Sequence, residues 1–364
     1  MRKMFLLPLA ALFMTVCCVC CGSSATATEP GGSGEKQYLV AGVAFYNLEN
    51  LFDTINQNGN YDLEFSPEGV KMWDSDKYWK KIHNLATAIS KLTSENTPYG
   101  PAVIGISEIE NRSVVEDLVK EVDKVLVADG REPWGLKICH HDSPDRRGVD
   151  VGLLYNPAYF ELESVNNHRL TVPGEPDFLT RDQMVVTGRL FERPISVIVG
   201  HWPSRLGGQS ESEHMRVAAA KLAAHIADSL WRENPSTGVV VMGDLNDDPH
   251  DKSCAQTLGA LRSREQAADH GFYNPFWWIL DNGVGSLCYR DKWNLFDQII
   301  VSGNLANGKA GDLQYWKATV HNMPMLRTQS GRYKNYPHRT FSGNNFLNGY
   351  SDHFPTQIFL VREV

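Results

Sequence analysis

Residues 239–248 read VVVMGDLNDD. Four apolar β-formers, Val239 to Met242, run through Gly243 into Asp244-Leu245-Asn246. The pattern predicts a buried strand that stops at a carboxylate and a carboxamide two positions apart. A strand period of two would put Asp244 and Asn246 on one side of the backbone, projecting from the C-terminal end into a crevice. A strand followed by an Asp/Asn-rich turn would read the same way over so short a stretch. The functional reading therefore needs partners elsewhere in the chain.

Other predicted strands end in the same manner. Residues 38–46 (YLVAGVAFY) run into Asn47, residues 101–107 into Glu108, residues 195–200 into His201, and Tyr350-Ser351-Asp352-His353 precedes a final strand at 354–361. Each of these polar residues alone has a bland explanation as a solvated or structural side chain. Several at one edge of a layered sheet mark the place where ligands bind.

The elements that would carry them alternate along the chain. Apolar residues at helical spacing (Trp79, Ile82, Leu85, Ala86, Ile89) predict an amphipathic helix over 78–92 with its lysines outside. Residues 114–127 and the alanine-rich 213–231 predict two more helices. Residues 56–62 and 142–148 read as loops, 149–155 as a strand, and 184–191 with 195–200 as a hairpin around Arg193-Pro194. Residues 295–302 (LFDQIIVS) add a strand with Asp297 near its start. No repeat or linker interrupts residues 38–364, so one layered α/β domain is expected.

The chain has 364 residues, 42% of them hydrophobic, and a formal net charge of −8. That composition supports a sizeable core. It argues against a broad basic face coating nucleic acid, although a metal and a few arginines can neutralise phosphate locally. Residues 1–27 read as a targeting segment: Arg2 and Lys3, a short apolar run, then Ala25-Thr26-Ala27 as a cleavage site. The alternative is lipid modification at Cys20 or Cys21. Residues 28–37 would be a flexible tether. An exported protein is expected, periplasmic, secreted or lipid-anchored, with no transmembrane segment in the mature chain, and a monomer. Outside the leader only Cys139, Cys254 and Cys288 remain, without zinc-ligand spacing.

In order, the motifs YNLEN (46–50), SEIEN (107–111), GVDVGLLY (148–155), GHWPSR (200–205), GDLND (243–247), FDQIIVS (296–302) and SDH (351–353) resemble the endonuclease/exonuclease/phosphatase superfamily, the fold of pancreatic deoxyribonuclease. The resemblance covers nearly all of residues 38–364. It implies a four-layer α/β sandwich, two mixed sheets packed face to face with helices outside, and metal-dependent cleavage of phosphoesters. Asn47 and Glu108 match the metal-binding pair, and Asp352 matches an acidic residue beside a second metal position. One carboxylate with a carboxamide suits Mg²⁺, with Mn²⁺ or Ca²⁺ as alternatives, and leaves room for waters and a phosphate oxygen. Asp244 matches the residue that addresses the attacking water, Asn246 the one that holds the phosphate, and His353 the catalytic histidine; either Asp244 or an Asp297–His353 pair would activate the water. Asp297 would hydrogen-bond His353 and fix its tautomer. His201 matches a second active-site histidine, with Asp150 as its carboxylate partner. Arg181 resembles a phosphate-contacting arginine, and Arg205 would either grip a flanking phosphate or pair with a nearby carboxylate at the surface.

The first expectation for the substrate is DNA or RNA, cut by in-line attack of water. The alternative within the superfamily is a phospholipid, inositol phosphate or nucleotide. Trp277, Trp278 and Trp293 could stack bases or pack their loop. A lipid hydrolase would expose the apolar run 276–280. A non-catalytic binding protein would show broken metal or histidine positions, and none is broken.

Overall fold

The computed structural model describes residues 7–8, 36–56 and 60–364. The cleavage and lipidation readings, and nearly all of the tether, fall outside the described residues. Two mixed sheets form the centre. The first runs in the order Gln314–Val320, Thr356–Glu363, Gln37–Leu51, Val103–Ile109, Asp150–Tyr155, Lys137–His140. Leu7–Pro8 pairs with the start of its Gln37–Leu51 strand. The second runs Ala260–Leu261, Phe272–Tyr273, Asp297–Ser302, Gly238–Asp244, Arg193–His201, Gln183–Leu190, Phe160–His168. The first sheet holds one parallel pair, Gln37–Leu51 with Val103–Ile109, and the second holds two, Arg193–His201 with Gly238–Asp244 and Ala260–Leu261 with Phe272–Tyr273, among antiparallel neighbours.

The inner strands of the second sheet are apolar on both faces because both are covered. In Gly238–Asp244, Val240 and Met242 join the core between the sheets, while Val239 and Val241 pack under the long helix Gln209–Glu233. Parity is the same next door: Val197 and Val199 point inward and Ile198 outward. The sheets approach closely enough that a Cβ on Gly105 would overlap Met242. Helices Ser75–Ser90 and Arg112–Ala128 cover the other side of the first sheet. Asp74 caps the first of these by accepting from the Lys77 amide, and Asn111 caps the second by accepting from Ser113 and Val114. The four layers are those the motifs implied.

Local differences have local reasons. Trp79, expected on the buried helix face, is exposed, and Tyr78 takes the inner position with its hydroxyl donating to Asp117. Lys81, expected outside, is buried with Nζ donating to Thr340 Oγ1 at 2.6 Å. A short helix, Asn60–Glu64, begins inside the predicted 56–62 loop. The edge strands Phe160–His168 and Gln314–Val320 escaped the sequence reading because their half-exposed, polar residues carry little hydrophobic pattern. The 276–280 run is not an exposed hairpin. It forms the helix Phe276–Asp281 with Phe276 and Ile279 buried and Trp278 outward. Trp293 stacks on Phe354. Cys139, Cys254 and Cys288 are all free thiols. No helix among the described residues is long and apolar enough to cross a membrane.

Candidate active site

Sheet register assembles the site. Asp244 pairs with His201 on one side and with Asp297 on the other. The three sit in one row across three adjacent strands. Their parity continues that of Val240, Met242, Val197, Val199, Ile299 and Val301, all inner-face residues. The row is therefore the last, polar layer of the core between the sheets. Gly200 and Gly243 make this possible, since a Cβ on Gly243 would overlap the Gly200 carbonyl oxygen.

The first sheet closes over this row. Asn47 Nδ2 donates to Asp244 Oδ2 at 3.0 Å. Its Oδ1 accepts from the Glu49 amide at 2.9 Å, which fixes the carboxamide. Glu108 sits at a register shift between Ser107 and Ile109, with a backbone φ of 60°. Left-handed backbone in a non-glycine residue stores strain, and a bulge re-aims a side chain. Here Glu108 Oε2 accepts from the Asn50 amide at 2.9 Å, leaving Oε1 toward His201 Nε2 at 3.9 Å. The terminal motif docks on the same place. Ser351 Oγ donates to the Asn47 carbonyl at 2.7 Å and accepts from the His353 amide at 3.1 Å.

Two histidines reach Asp244 Oδ2. His201 Nε2 lies 3.6 Å away and His353 Nε2 3.9 Å away. His353 Nδ1 is 2.7 Å from Asp297 Oδ2, so the expected pair is present. Burial works against charge on His353, yet Asp297, Asp244 and Asp352 together hold its pKa well above the usual histidine value. His201 goes the other way. Burial, then Arg181, Arg147 and His353, push it well below. Asp244 is pushed up to about 6, chiefly by burial, with Asp297 and Glu108 adding repulsion.

Asn246 reaches the site by a different route from the one expected. The strand ends at Asp244, and Asn246 turns into the left-handed region with φ 51°. Asp244 Oδ1 accepts from its amide at 3.1 Å, and Asn246 Nδ2 donates to the Trp202 carbonyl at 3.0 Å. Pleat geometry does not relate the two side chains; an Asx turn does.

Two expected roles, those of Asp150 and Arg181, are corrected, and Arg205 takes the carboxylate-pairing one of its two readings. Asp150 does not partner His201. Its Oδ2 lies 3.0 Å from His140 Nε2 and its Oδ1 accepts from the Ser143 amide, while His201 Nδ1 is buried with no hydrogen-bond partner. Arg181 is buried and faces the protein, donating to the His201 and Trp202 carbonyls and pairing with Asp145 at 2.9 Å. Arg205 donates to the Asn246 carbonyl, pairs with Asp251 at 2.6 Å and Asp247 at 3.1 Å, and lies over the Phe296 ring. Both arginines hold the loops that carry His201 and Asn246. A guanidinium satisfied by carbonyls and carboxylates is a positioning group, and sequence cannot say which acids will fold onto it.

Other participants were not anticipated. Arg147 lies 3.3 Å from Glu108 Oε1, whereas its neighbour Arg146 donates to the Asp177 carbonyl. Nothing in the Arg-Arg-Gly string separates the two fates. Glu49 is buried and accepts from the Thr340 amide at 2.7 Å. Arg339 bridges Glu49 Oε1 at 3.3 Å and Asp352 Oδ2 at 2.8 Å. Burial, reinforced by Asp352, raises Glu49 to about 7.

Asn47 and Glu108 offer only oxygen to a cation; Glu108 Oε1, which faces the site, also accepts from Arg147, and Asn47 Oδ1 from the Glu49 amide. That donor set fits a hard divalent ion with a partly open shell. Asp244, Asp297 and His353 also lie close enough together to hold an ion. Asp297 is, however, already bonded to the His353 ring, which accounts for that cluster without one.

Residues 42–362 match the sequence profile of the Endonuclease/Exonuclease/phosphatase family. The chain belongs to that family. The family hydrolyses phosphoester bonds, and its members use divalent metals. No curated protein matches the chain in sequence. Among solved structures, this family member is similar to a humanised TDP2 of D. rerio, with TM-score 0.53 and 12% identity over 88% of this chain and 98% of that one. It is similar to a mannosyl-6-phosphatase of Bacteroides thetaiotaomicron, with TM-score 0.53 and 14% identity over 88% and 99%. A third is an endonuclease/exonuclease/phosphatase family protein from Bacteroides thetaiotaomicron, with TM-score 0.52 and 13% identity over 90% and 100%. At these identities the likeness is one of fold.

Proposed function

We propose that the protein is a divalent-metal-dependent phosphoesterase that hydrolyses its substrate by in-line attack of water. The observation that carries this is the convergence of Asn47, His201 and His353 on one oxygen of Asp244, with Asp297 behind His353. Asp244 sits where it can hold and accept a proton from the attacking water. His353, kept cationic by Asp297, faces the developing charge on phosphorus as donor. His201 and the Asn246 turn offer further polar contacts to the phosphoryl oxygens. Asn47 and Glu108 would hold the ion, Mg²⁺ first, with Asp352 next to it. When bound, the ion supplies Lewis acidity at a phosphoryl oxygen and at the departing one.

The favoured substrate is a compact phosphoester. Arg181 and Arg205, the groups expected to hold the flanking phosphates of a polymer, are engaged within the protein. Lipid is disfavoured by the burial of Phe276 and Ile279. Nuclease action is the second reading. The Leu287–Tyr289/Lys292–Asn294 hairpin, packed beside His353 through Trp293 and Phe354, exposes Tyr289 under Arg290, and Tyr333 under Arg332 stands nearby through Tyr336. Such a rim could stack bases. Export, by a cleaved or lipidated leader, is part of this proposal.

The test is turnover by purified protein with Mg²⁺, offered p-nitrophenyl phosphate, bis-p-nitrophenyl phosphate, sugar phosphates, plasmid DNA and sphingomyelin. Hydrolysis of at least one ester, abolished by chelator and by His353→Ala, is expected. Metal-independent turnover, or none on any ester, would refute the assignment.

A further inference from the structure

Of the arginines that fold around the site, Arg181, Arg205 and Arg339 are consumed by the protein. Arg181 is 7% exposed and donates to two carbonyls and Asp145 at 2.9–3.1 Å. Arg205 is held by the Asn246 carbonyl, Asp247 and Asp251 at 2.6–3.1 Å. Arg339 bridges two carboxylates, Glu49 and Asp352. Arg147 is held differently. Its Nη1 and Nη2 both reach one atom, Glu108 Oε1, at 3.4 and 3.3 Å, and its Nε lies 3.8 Å from Asp145 Oδ1. Charge-assisted bonds of good geometry close to about 2.7–2.9 Å, so this fork is loosely seated. Its side chain is 34% exposed. The backbone beneath it is fixed, because the Arg147 amide donates to Asp145 Oδ1 at 3.0 Å and Arg181 clamps Asp145 Oδ2 at 2.9 Å.

The oxygen that Arg147 touches has a second claim on it. Glu108 Oε2 is taken by the Asn50 amide, and Oε1 faces the site, 3.9 Å from His201 Nε2. A divalent ion at Asn47 and Glu108 needs that same Oε1. Hard dications bind carboxylate oxygen at about 2.0–2.6 Å, and two contacts at 3.3 and 3.4 Å do not compete with such a bond. Once Oε1 is taken, the guanidinium has no other carboxylate closer than Asp145 at 3.8 Å, which the Arg147 amide and Arg181 already occupy.

We propose that Arg147 is a further catalytic residue: it yields Glu108 Oε1 to the ion and turns its two Nη groups onto oxygens of the reacting phosphoryl group. The proposal rests on the phosphoesterase reading above and supplies the phosphate-binding arginine that Arg181 and Arg205 do not provide. A planar fork fits two phosphoryl oxygens as it fits a carboxylate. The phosphoryl group must lie among Glu108, His201 and Asp244, and the guanidinium already stands at the first of these. A positioned cation at those oxygens stabilises the charge they carry during in-line attack. Arg339 cannot take this part without stripping a partner from the buried Glu49 carboxylate.

Arg147→Met separates this role from that of a prop for Glu108. Removing a prop weakens metal binding, and excess metal then restores turnover. Removing a competitor for Oε1 does the opposite. Calorimetric titration of Mn²⁺ into Arg147→Met should show binding tightened about ten-fold, from the loss of one repelling charge at close range. At saturating Mg²⁺ its kcat on p-nitrophenyl esters should nevertheless fall about 10²–10³-fold, the scale of one oxyanion contact. Inorganic phosphate, titrated with Mn²⁺ present, should bind about ten-fold more weakly, as for a lost bond to a charged group. Arg147→Lys keeps the charge but not the fork, so it should hold metal like the wild type and recover only part of kcat. Arg146→Met, whose side chain serves the Asp177 carbonyl, should behave as wild type. Weaker Mn²⁺ binding in Arg147→Met with kcat restored by excess metal would overturn the proposal, and so would an unchanged kcat. A wild type that turns over no ester would refute the phosphoesterase reading. Tighter Mn²⁺ and weaker phosphate binding in Arg147→Met would, even then, keep Arg147 as the phosphate-binding group.

Discussion

His201 and His353 approach the same oxygen of Asp244 at 3.6 and 3.9 Å, and the protein gives them opposite characters. His201 ends a strand of the second sheet. Its Nδ1 is buried with no partner, and two arginines, Arg181 and Arg147, stand near enough to disfavour its charge. His353 comes from the turn before the last strand of the first sheet. Its Nδ1 is held by Asp297 at 2.7 Å, and two further carboxylates favour its charge. Both rings are buried, so desolvation does not separate them. The sign of the neighbouring charges does. One residue type is driven toward the cation on one side of Asp244 and toward the neutral ring on the other.

The sharpest way to break this comparison is to remove the shared partner or the charged ring. Asp244→Ala and His353→Ala should each lower kcat by about 10²–10⁴, the worth of an acid–base group, with KM little changed. Loss of function without loss of folding, checked by circular dichroism, separates this from collapse. Arg181→Met should act on stability first. It takes from Asp145 its 2.9 Å partner and leaves Arg147, 3.8 Å away, and the Arg147 amide, a loss of about 1–3 kcal/mol measurable by denaturant unfolding. In the same variant the His201 pKa should rise, since a repelling cation is gone.

His201→Gln comes next. As a neutral donor it should be worth about 10² in kcat, in the range of one oxyanion contact, with little change in stability. Ring-nitrogen NMR of the metal-free protein then measures the comparison directly. His353 should remain protonated at neutral pH and His201 neutral, and Asp297→Asn should lower only the first. Because its folded pKa is raised, His353 contributes stability that is complete below the unfolded value and is lost as pH climbs through the folded one. Asp297→Asn should flatten that part of the stability–pH curve. The smallest effect expected is that of Asp150→Asn. Asp150 pairs with His140, so kcat should not change; a large drop would restore Asp150 as the partner of His201 and undo the contrast.

Much of the site was legible in the motifs. Asn47, Glu108, Asp244, Asp297 and His353 meet as their resemblance implied, because each stands at a strand end and strands of a packed sandwich end at a common edge. Residues that depend on which loop folds onto which were not legible. Arg181, read as a phosphate contact, and Arg205, read as a phosphate grip or a carboxylate partner, are tied to carbonyls and to Asp145, Asp247 and Asp251. Asp150 looked like a partner for His201 and faces a different strand, Lys137–His140. Lys81, read as a solvent-facing helix lysine, and Glu49, which had no role in the sequence reading, are buried beneath the 339–340 segment.

The sequence by itself determined the layered α/β architecture and set the candidate site residues at the ends of its strands. Runs of β-branched residues ending in Asp, Asn, Glu or His specify buried strands with polar tips, whatever lies around them. Tertiary structure alone decided three things. It set the parity that turns His201, Asp244 and Asp297 into one inner-face row, since strands apolar on both faces do not reveal which face is inside. It set the charge of each histidine, because electrostatics depends on neighbours remote in the chain. And it brought Arg147 rather than Arg146 to Glu108, since the two differ only in what folds against them.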